Sequence, residues 1–268
     1  MIAARPAKRI VLRRSRLASS LKLQISRTIH LGAVLVAAYL AVVGPVYGQQ
    51  DNTPAIKVHR CDDFEVDGEG TNEAWNGTEW VPLNRRFDGR IDFHSRFKML
   101  YSKTGIYVLF DGDDRKLSAT IEEDFADLWH EDVFECFFWT DERDSLYFEY
   151  EISPLGYELP ILIPNLEGQF LGWRPWHYEG DRKTRKATSV LGGEKKPHAK
   201  IDRWRAEIFI PYKLLSPLRS VPPQPGTTWR ANFYRVDYDD ESAMSWDWAR
   251  VGSSFHEFKK FGTIEFVE

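Results

Sequence analysis

The chain has 268 residues, with 36 basic groups against 40 acidic ones and ten tryptophans among its 38 aromatic side chains. The first 48 residues hold eight of the basic groups and no acid, so the remainder carries 28 basic against 40 acidic groups, a net of −12. That balance argues against nucleic acid and anionic membrane as partners, and two cysteines without a CxxC argue against a thiolate metal site.

Residues 1–48 read as an export signal. Arg5, Lys8, Arg9, Arg13, Arg14, Arg16, Lys22 and Arg27 precede the apolar run Leu31–Val43, and Pro45 and Gly48 follow it. A basic region, an apolar region and a small residue for cleavage after Gly48 form the pattern of a secretory signal. The apolar run is shorter than the ~20 residues of a spanning helix, and an uncleaved anchor is the alternative. Arg13-Arg14 is a partial twin-arginine signature, with Arg16 where an apolar residue is expected, and the long basic region leaves room for a start downstream of Met1. The expected location is therefore secreted or periplasmic, with no membrane span in the mature chain.

Residues 49–59 read as a short polar terminus and residues 60–268 as one domain of a size that buries a substantial core. Short runs rich in β-branched and aromatic residues alternate with turn signals, the pattern of an all-β sandwich or barrel. Expected strands are Phe64–Val66, Arg96–Tyr101, Gly105–Phe110, Asp132–Thr140, Leu146–Ser153, Trp204–Ile210, Arg230–Asp237 and Thr263–Val267. Helical turns are expected at Asn72–Trp75 and Tyr212–Leu215, and residues 173–193 as an unpatterned surface excursion. Asn76-Gly77-Thr78 is a glycosylation acceptor pattern in a eukaryotic secretory route. Export permits a disulfide between Cys61 and Cys136. A buried free thiol is the alternative for Cys136, which falls on the apolar face of its strand.

The informative stretch is Leu128–Trp139, LWHEDVFECFFW, with Tyr147–Ile152, YFEYEI. Side chains alternate across a strand, so Glu135, Phe137 and Trp139 share a face with Tyr147, Glu149 and Glu151, and Trp129 stands at its rim. Carboxylates beside an exposed indole suit a sugar, which offers hydroxyls to the acids and C–H faces to the ring. Three nearby carboxylates also raise one another's pKa unless a cation compensates. Arg235 is expected near this face as a salt-bridge partner, Trp246 as a residue of the cleft or the core, and His256 beside Phe255 as a donor to the ligand. The oxygen-rich turn Asp111, Asp113 and Asp114 is a calcium candidate, as is the loop Asp237–Glu241. The aromatic loop Trp173, Trp176, His177 and Tyr178 is either a binding surface or packing.

Several pieces, in order, resemble the carbohydrate-binding module family 9 group. They are Val66-Asp67-Gly68 with Glu73-Ala74-Trp75, Gly105–Val108 ending at Asp113-Asp114, and Leu128-Trp129 with Glu135. Tyr147-Phe148-Glu149 with Glu151, Trp204–Glu207, Asn232–Arg235, Ser245-Trp246 and Phe255-His256 before Phe261-Gly262 complete the set, over roughly residues 60–267. The resemblance implies an antiparallel β-sandwich of jelly-roll type that holds sugars between two aromatic rings, often with structural calcium and no organic cofactor. By position, Trp129 is the first ring, Glu135 the carboxylate six residues on, and Phe255 the second ring. Two departures stand out: Phe255 replaces a tryptophan, and Glu149 replaces a basic residue.

The reading is a secreted, non-catalytic protein that binds the end of a glycan or polysaccharide, with a place in polysaccharide breakdown. The alternatives are a glycoside hydrolase pairing Glu135 with Glu149 or Glu151, and a haem- or protein-binding sandwich drawing on Met99, Met244, His94, His177 or His256.

Overall fold

The computed structural model describes residues 53–166, 169–172, 174, 177–240 and 242–268. The strands are β1 (Ala55–Arg60), β2 (Val81–Pro82), β3 (Asn84–Arg85), β4 (Ser95–Tyr101), β5 (Gly105–Asp113), β6 (Val133–Trp139) and β7 (Leu146–Ile152). They continue as β8 (Glu158–Leu166), β9 (Gln169–Phe170), β10 (Arg185–Leu191), β11 (Arg203–Pro211), β12 (Thr228–Asp237), β13 (Met244–Asp247) and β14 (Gly262–Val267). Helical structure among the described residues consists of short 3₁₀ turns such as Glu73–Gly77, where Asn72 caps the start by accepting from the Ala74 amide.

The strands pair in the order β10-β11-β5-β4-β1-β14-β12-β6-β7-β8-β9, with β2 on β4 and β13 between β12 and β3. Pairing is antiparallel except at β1, which runs parallel to both β14 and β4. This curled sheet folds back on itself as two layers. Phe97 of β4 stacks on Phe233 of β12 with centroids 3.7 Å apart, and Phe110 of β5 lies 4.7 Å from Phe134 of β6. Each fully buried ring of this kind contributes about 1.5–3 kcal/mol. The expected all-β sandwich is what the chain forms.

Where the strands differ from expectation, the cause is local. Ala55–Arg60, read as part of a polar terminus, is a strand that buries Val58. Phe64–Val66 is not a strand but a cover over the outer face of β5, where Phe64 stacks on Tyr107 at 4.1 Å and its N–H donates to the Tyr107 hydroxyl. The stretch read as a loop contains β10, an edge strand hydrogen-bonded to β11 and buried only in part. Edge strands tolerate the polar, unpatterned composition that hides them. Both cysteines are free: Cys61 donates to the Tyr101 carbonyl, and Cys136 is buried between the layers.

Arg235 requires a correction. It is not near the acidic face. The register sets Tyr234 opposite Glu135 and Arg235 opposite Phe134, and directly paired residues point the same way, so Arg235 enters the core. There its guanidinium donates to Asp114 (3.2 Å) and Asp237 (2.5 Å), fully buried, and lies over Phe93, Phe134 and Trp246. Gly112 makes room for it: a Cβ there would fall 2.7 Å from an Arg235 nitrogen. Trp246 likewise belongs to the core, stacked with Phe93, and does not reach the acidic face. Met99 and Met244 are core residues as well.

Candidate functional site

The outer face of the second layer is laid out by register. Glu135 stands directly opposite Glu151 and Phe137 opposite Glu149, while Leu159, Ile161 and Ile163 of β8 continue the same rows. At one end the segment 251–261 covers this face, packing Val251, Phe258 and Phe261 against Phe137, Trp139 and Tyr147. At the other end Ile121, Phe125, Ala126 and Leu128 pack with Val133, Leu159 and Val236. Between the two covers lies a cavity of about 710 Å³, with Glu135, Glu149 and Glu151 on its floor and Trp129, Phe125, Phe255, His256, Arg86 and Arg174 among its walls. That volume falls in the range of small-ligand sites, roughly 300–1,000 Å³.

The three glutamates are almost wholly buried, at 3, 4 and 1 % exposure for Glu135, Glu149 and Glu151. One oxygen of each lies within 4.8 Å of the other two. Burial pushes all three pKa values up, Glu149 to about 7 and the others well above the ordinary carboxylate value. Repulsion adds to this: Glu149 acts on Glu135, and Glu135, Glu149 and Asp127 act on Glu151, whereas proximity to Glu151 lets Glu149 share a proton and holds it lower. Arg86 favours the charged form of Glu135. Its own guanidinium is engaged elsewhere, 3.5 Å from Asp247, donating to the Gly252 carbonyl and 4.6 Å from the Phe255 ring centroid.

Trp129, 39 % exposed, is the open aromatic surface of the cavity. It sits in the 3₁₀ turn Leu128–His130, and its carbonyl accepts from the Tyr238 hydroxyl, which fixes the backbone while the indole stands at the rim, tilted against the His130 ring at 5.3 Å. Phe255 lines the same cavity but is differently placed. Its ring is stacked on Tyr234 (4.1 Å, 6°) and carries Arg86, so its faces are engaged and its edge is left for a ligand. His256 hydrogen-bonds Tyr147 through Nδ1 at 2.8 Å, and that nitrogen is 3.7 Å from Glu149. Burial lowers the His256 pKa to about 4, so the ring is neutral near pH 7.

The structure thus brings Trp129, Glu135, Glu149, Glu151, Phe255 and His256 to one cavity and leaves Arg235 and Trp246 out of it. Arg86, Phe125, Asp127 and Arg174 are wall residues that the sequence did not single out. Phe125 turns into the wall with φ of 66°, a left-handed conformation held by its N–H to the Glu158 carbonyl (2.8 Å) and by Arg174, which donates to its own carbonyl. Of the aromatic loop, Trp173 and Trp176 lie outside the described residues. His177 is buried against the Leu214 carbonyl, and Tyr178 donates to Glu158, so both pack rather than line the cavity.

The first calcium candidate is not an oxygen cage. Asp111 pairs with Arg96, Arg203 and Arg205, Asp113 with Arg203, and Asp114 turns inward to Arg235. Residues of the two candidate loops meet instead, Asp114 with Asp237 and Asp239. All three already accept hydrogen bonds: Asp114 accepts from Lys116 N and Arg235, Asp237 from Asp239 N and Arg235, and Asp239 from Arg115 N through Oδ2. The Arg235 guanidinium is already paired with two of the three, Asp114 and Asp237, so an ion here would compete with it; Glu241 of that loop lies outside the described residues.

Residues 66–160 match the family described as carbohydrate family 9 binding domain-like, which bears out the resemblance read from the sequence. No curated protein matches the chain. Among solved structures, a candidate carbohydrate-binding protein from Bacteroides uniformis is similar with a TM-score of 0.65 at 17% identity, over 80% of this chain and 99% of that one. A family 9 carbohydrate-binding module from Caldicellulosiruptor kristjanssonii is similar in its cellotriose complex (TM-score 0.58, 17% identity, 80% and 94% covered) and in its glucose complex (0.58, 16%, 80% and 95%). At such identities the likeness speaks to the fold.

Proposed function

We propose that this protein is a non-catalytic carbohydrate-binding protein that takes a sugar into the cavity above β6 and β7. The observation that carries this is the pairing of an exposed indole, Trp129, with three buried carboxylates in a cavity of sugar size. Trp129 stacks on a sugar face, and Glu135, Glu149 and Glu151 accept from its hydroxyls. The similar family 9 module crystallised with glucose and cellotriose supports the ligand class. Phe255 contributes its edge, so the grip is one ring and a floor rather than two parallel rings.

Hydrolysis is the weaker reading. Glycosidases set their two carboxyl groups on either side of the scissile bond, whereas these three rise from one sheet face and meet a sugar from one side. Export is the proposed route to the ligand, on the basic and apolar segment before Gly48. Among the described residues no helix is long and apolar enough to cross a membrane. Sequencing the N-terminus of the protein recovered outside the cytoplasm tests that cleavage.

The functional test is a glycan array followed by calorimetry on each hit, with Trp129→Ala alongside. Because the indole is exposed, the variant keeps its fold, and loss of affinity of about tenfold or more is expected. Full affinity in Trp129→Ala would remove the stacking ring from the account. Turnover of a chromogenic glycoside that disappears in Glu135→Gln would replace binding by catalysis.

A further inference from the structure

The floor of the cavity is more acidic than a neutral sugar requires. Hydroxyl recognition is met by one or two acceptors, yet three glutamates converge here within 4.8 Å. Apart from the proton that Glu149 and Glu151 share, no donor group among the described residues reaches Oε2 of Glu149 or Oε2 of Glu151, although both residues are more than nine-tenths buried and both line the cavity. The nearest guanidinium, Arg86, is held by Asp247, the Gly252 carbonyl and the Phe255 ring, and it acts on Glu135. Arg174, the other basic wall residue, donates to the Phe125 carbonyl and lies over the Phe125 ring. His256 is neutral and bonded to Tyr147. Without a compensating charge these buried acids hold on to protons rather than ionise, and a cation supplied by a ligand would replace those protons and be held by the carboxylates.

Two kinds of cation compete. A calcium ion needs 6–8 oxygen ligands around it. The glutamates supply a hemisphere from one flat face, while much of the surrounding wall is Phe125, Phe137, Phe255, Leu159, Ile161 and Ile163. A hard ion is poorly served by such walls, and it would fill little of about 710 Å³. An organic cation meets both parts of the site. Its ammonium donates three hydrogen bonds to the carboxylates, and its body lies against the rings, which themselves attract positive charge.

Resting on the carbohydrate reading, we infer that the ligand is an amino sugar with a free, protonated amine, and that Glu149 and Glu151, with Glu135, form its ammonium site.

The test is calorimetry on the purified protein at neutral pH with glucosamine, glucose, N-acetylglucosamine, cyclohexylamine and calcium chloride in turn. Glucosamine is expected to bind about tenfold or more tightly than the two uncharged sugars, the gain of a charge-assisted hydrogen bond set. That ratio is expected to fall toward one in Glu151→Gln and in Glu149→Gln. Each variant puts an uncharged amide of the same size where the acid stood, so both should fold, and thermal unfolding verifies it. Equal binding of the three sugars, or a preference for N-acetylglucosamine, overturns the amine site and leaves carbohydrate binding standing. Binding of cyclohexylamine with no sugar binding keeps the amine site and removes the carbohydrate reading. Calcium binding that is lost in Glu151→Gln and is not displaced by glucosamine overturns the proposal in favour of a metal. No binding by any of the five overturns both readings.

Discussion

Tyr234 and Phe255 lie ring to ring, 4.1 Å apart and 6° from parallel, and the Tyr234 hydroxyl donates to the Phe255 carbonyl at 2.9 Å. One tyrosine on β12 therefore holds both the side chain and the backbone of the loop that walls the cavity. Asn232 holds the tyrosine in turn, donating to its hydroxyl at 2.8 Å. Phe255→Ala should lower stability by about 1–3 kcal/mol, less than a fully buried phenylalanine because the ring is partly exposed. Urea unfolding measures this. An unchanged midpoint would show that the loop is not anchored by that stack.

The acidic floor predicts a pH dependence of stability. The Glu149 pKa is raised from 4.5 to about 7. The stabilisation linked to this shift is complete below 4.5 and lost as pH rises through 7. Glu135 and Glu151 act in the same direction. His256 acts in the opposite one: its pKa is lowered from 6.5 to about 4, so its contribution is present above 6.5 and lost as pH falls through 4. Melting temperature should therefore decline as pH rises from about 4.5 through 7, with the opposing rise from His256 confined to pH 4–6.5, and Glu151→Gln should flatten that decline. A wild-type profile that keeps rising through pH 8 would contradict the raised values.

The Arg235 ion pairs are buried on all sides. Arg235→Met should cost about 3–5 kcal/mol, because it leaves Asp114 and Asp237 buried without their cation. Adding Asp114→Asn and Asp237→Asn to that variant should recover much of the loss. Chemical denaturation of the three-variant series decides it, and a single variant as stable as wild type would mean that the pairs are dispensable.

Calcium should not stabilise this protein through Asp114, Asp237 and Asp239, since Arg235 pairs with the first two and backbone amides donate to all three. An ion bound at a hundred times its dissociation constant would add about 2.7 kcal/mol. A melting temperature raised by calcium and restored by chelator, in wild type but not in Asp239→Asn, would show that the ion displaces the arginine.

Two-residue periodicity was enough to place Glu135, Glu149 and Glu151 on one face, because each acid interrupts an apolar run and only its parity has to be right. Arg235 could not be placed that way. Its face depends on the register between β12 and β6, a long-range quantity that no local pattern encodes, and it sits one residue out of phase with Tyr234. β8 was hidden by Pro160 and Pro164, which read as strand breakers. The strand tolerates them since β9 pairs only with Asn165 and Leu166, leaving most of that side as an edge where no amide is required. Arg86 was invisible for another reason: it follows the two-residue strand β3 and reaches the cavity only through the fold. Trp129 stood out by its charged neighbours, and its exposure follows from the rim position they occupy.

β1 lies between β4 and β14, with Ala55 paired to Thr263 and His59 to Leu100. The first described strand and the last are thus neighbours. Of the described strands β1 is made first and β14 last, so the seam that joins them cannot form until all the others have been made, and this long-range pairing closes late in folding.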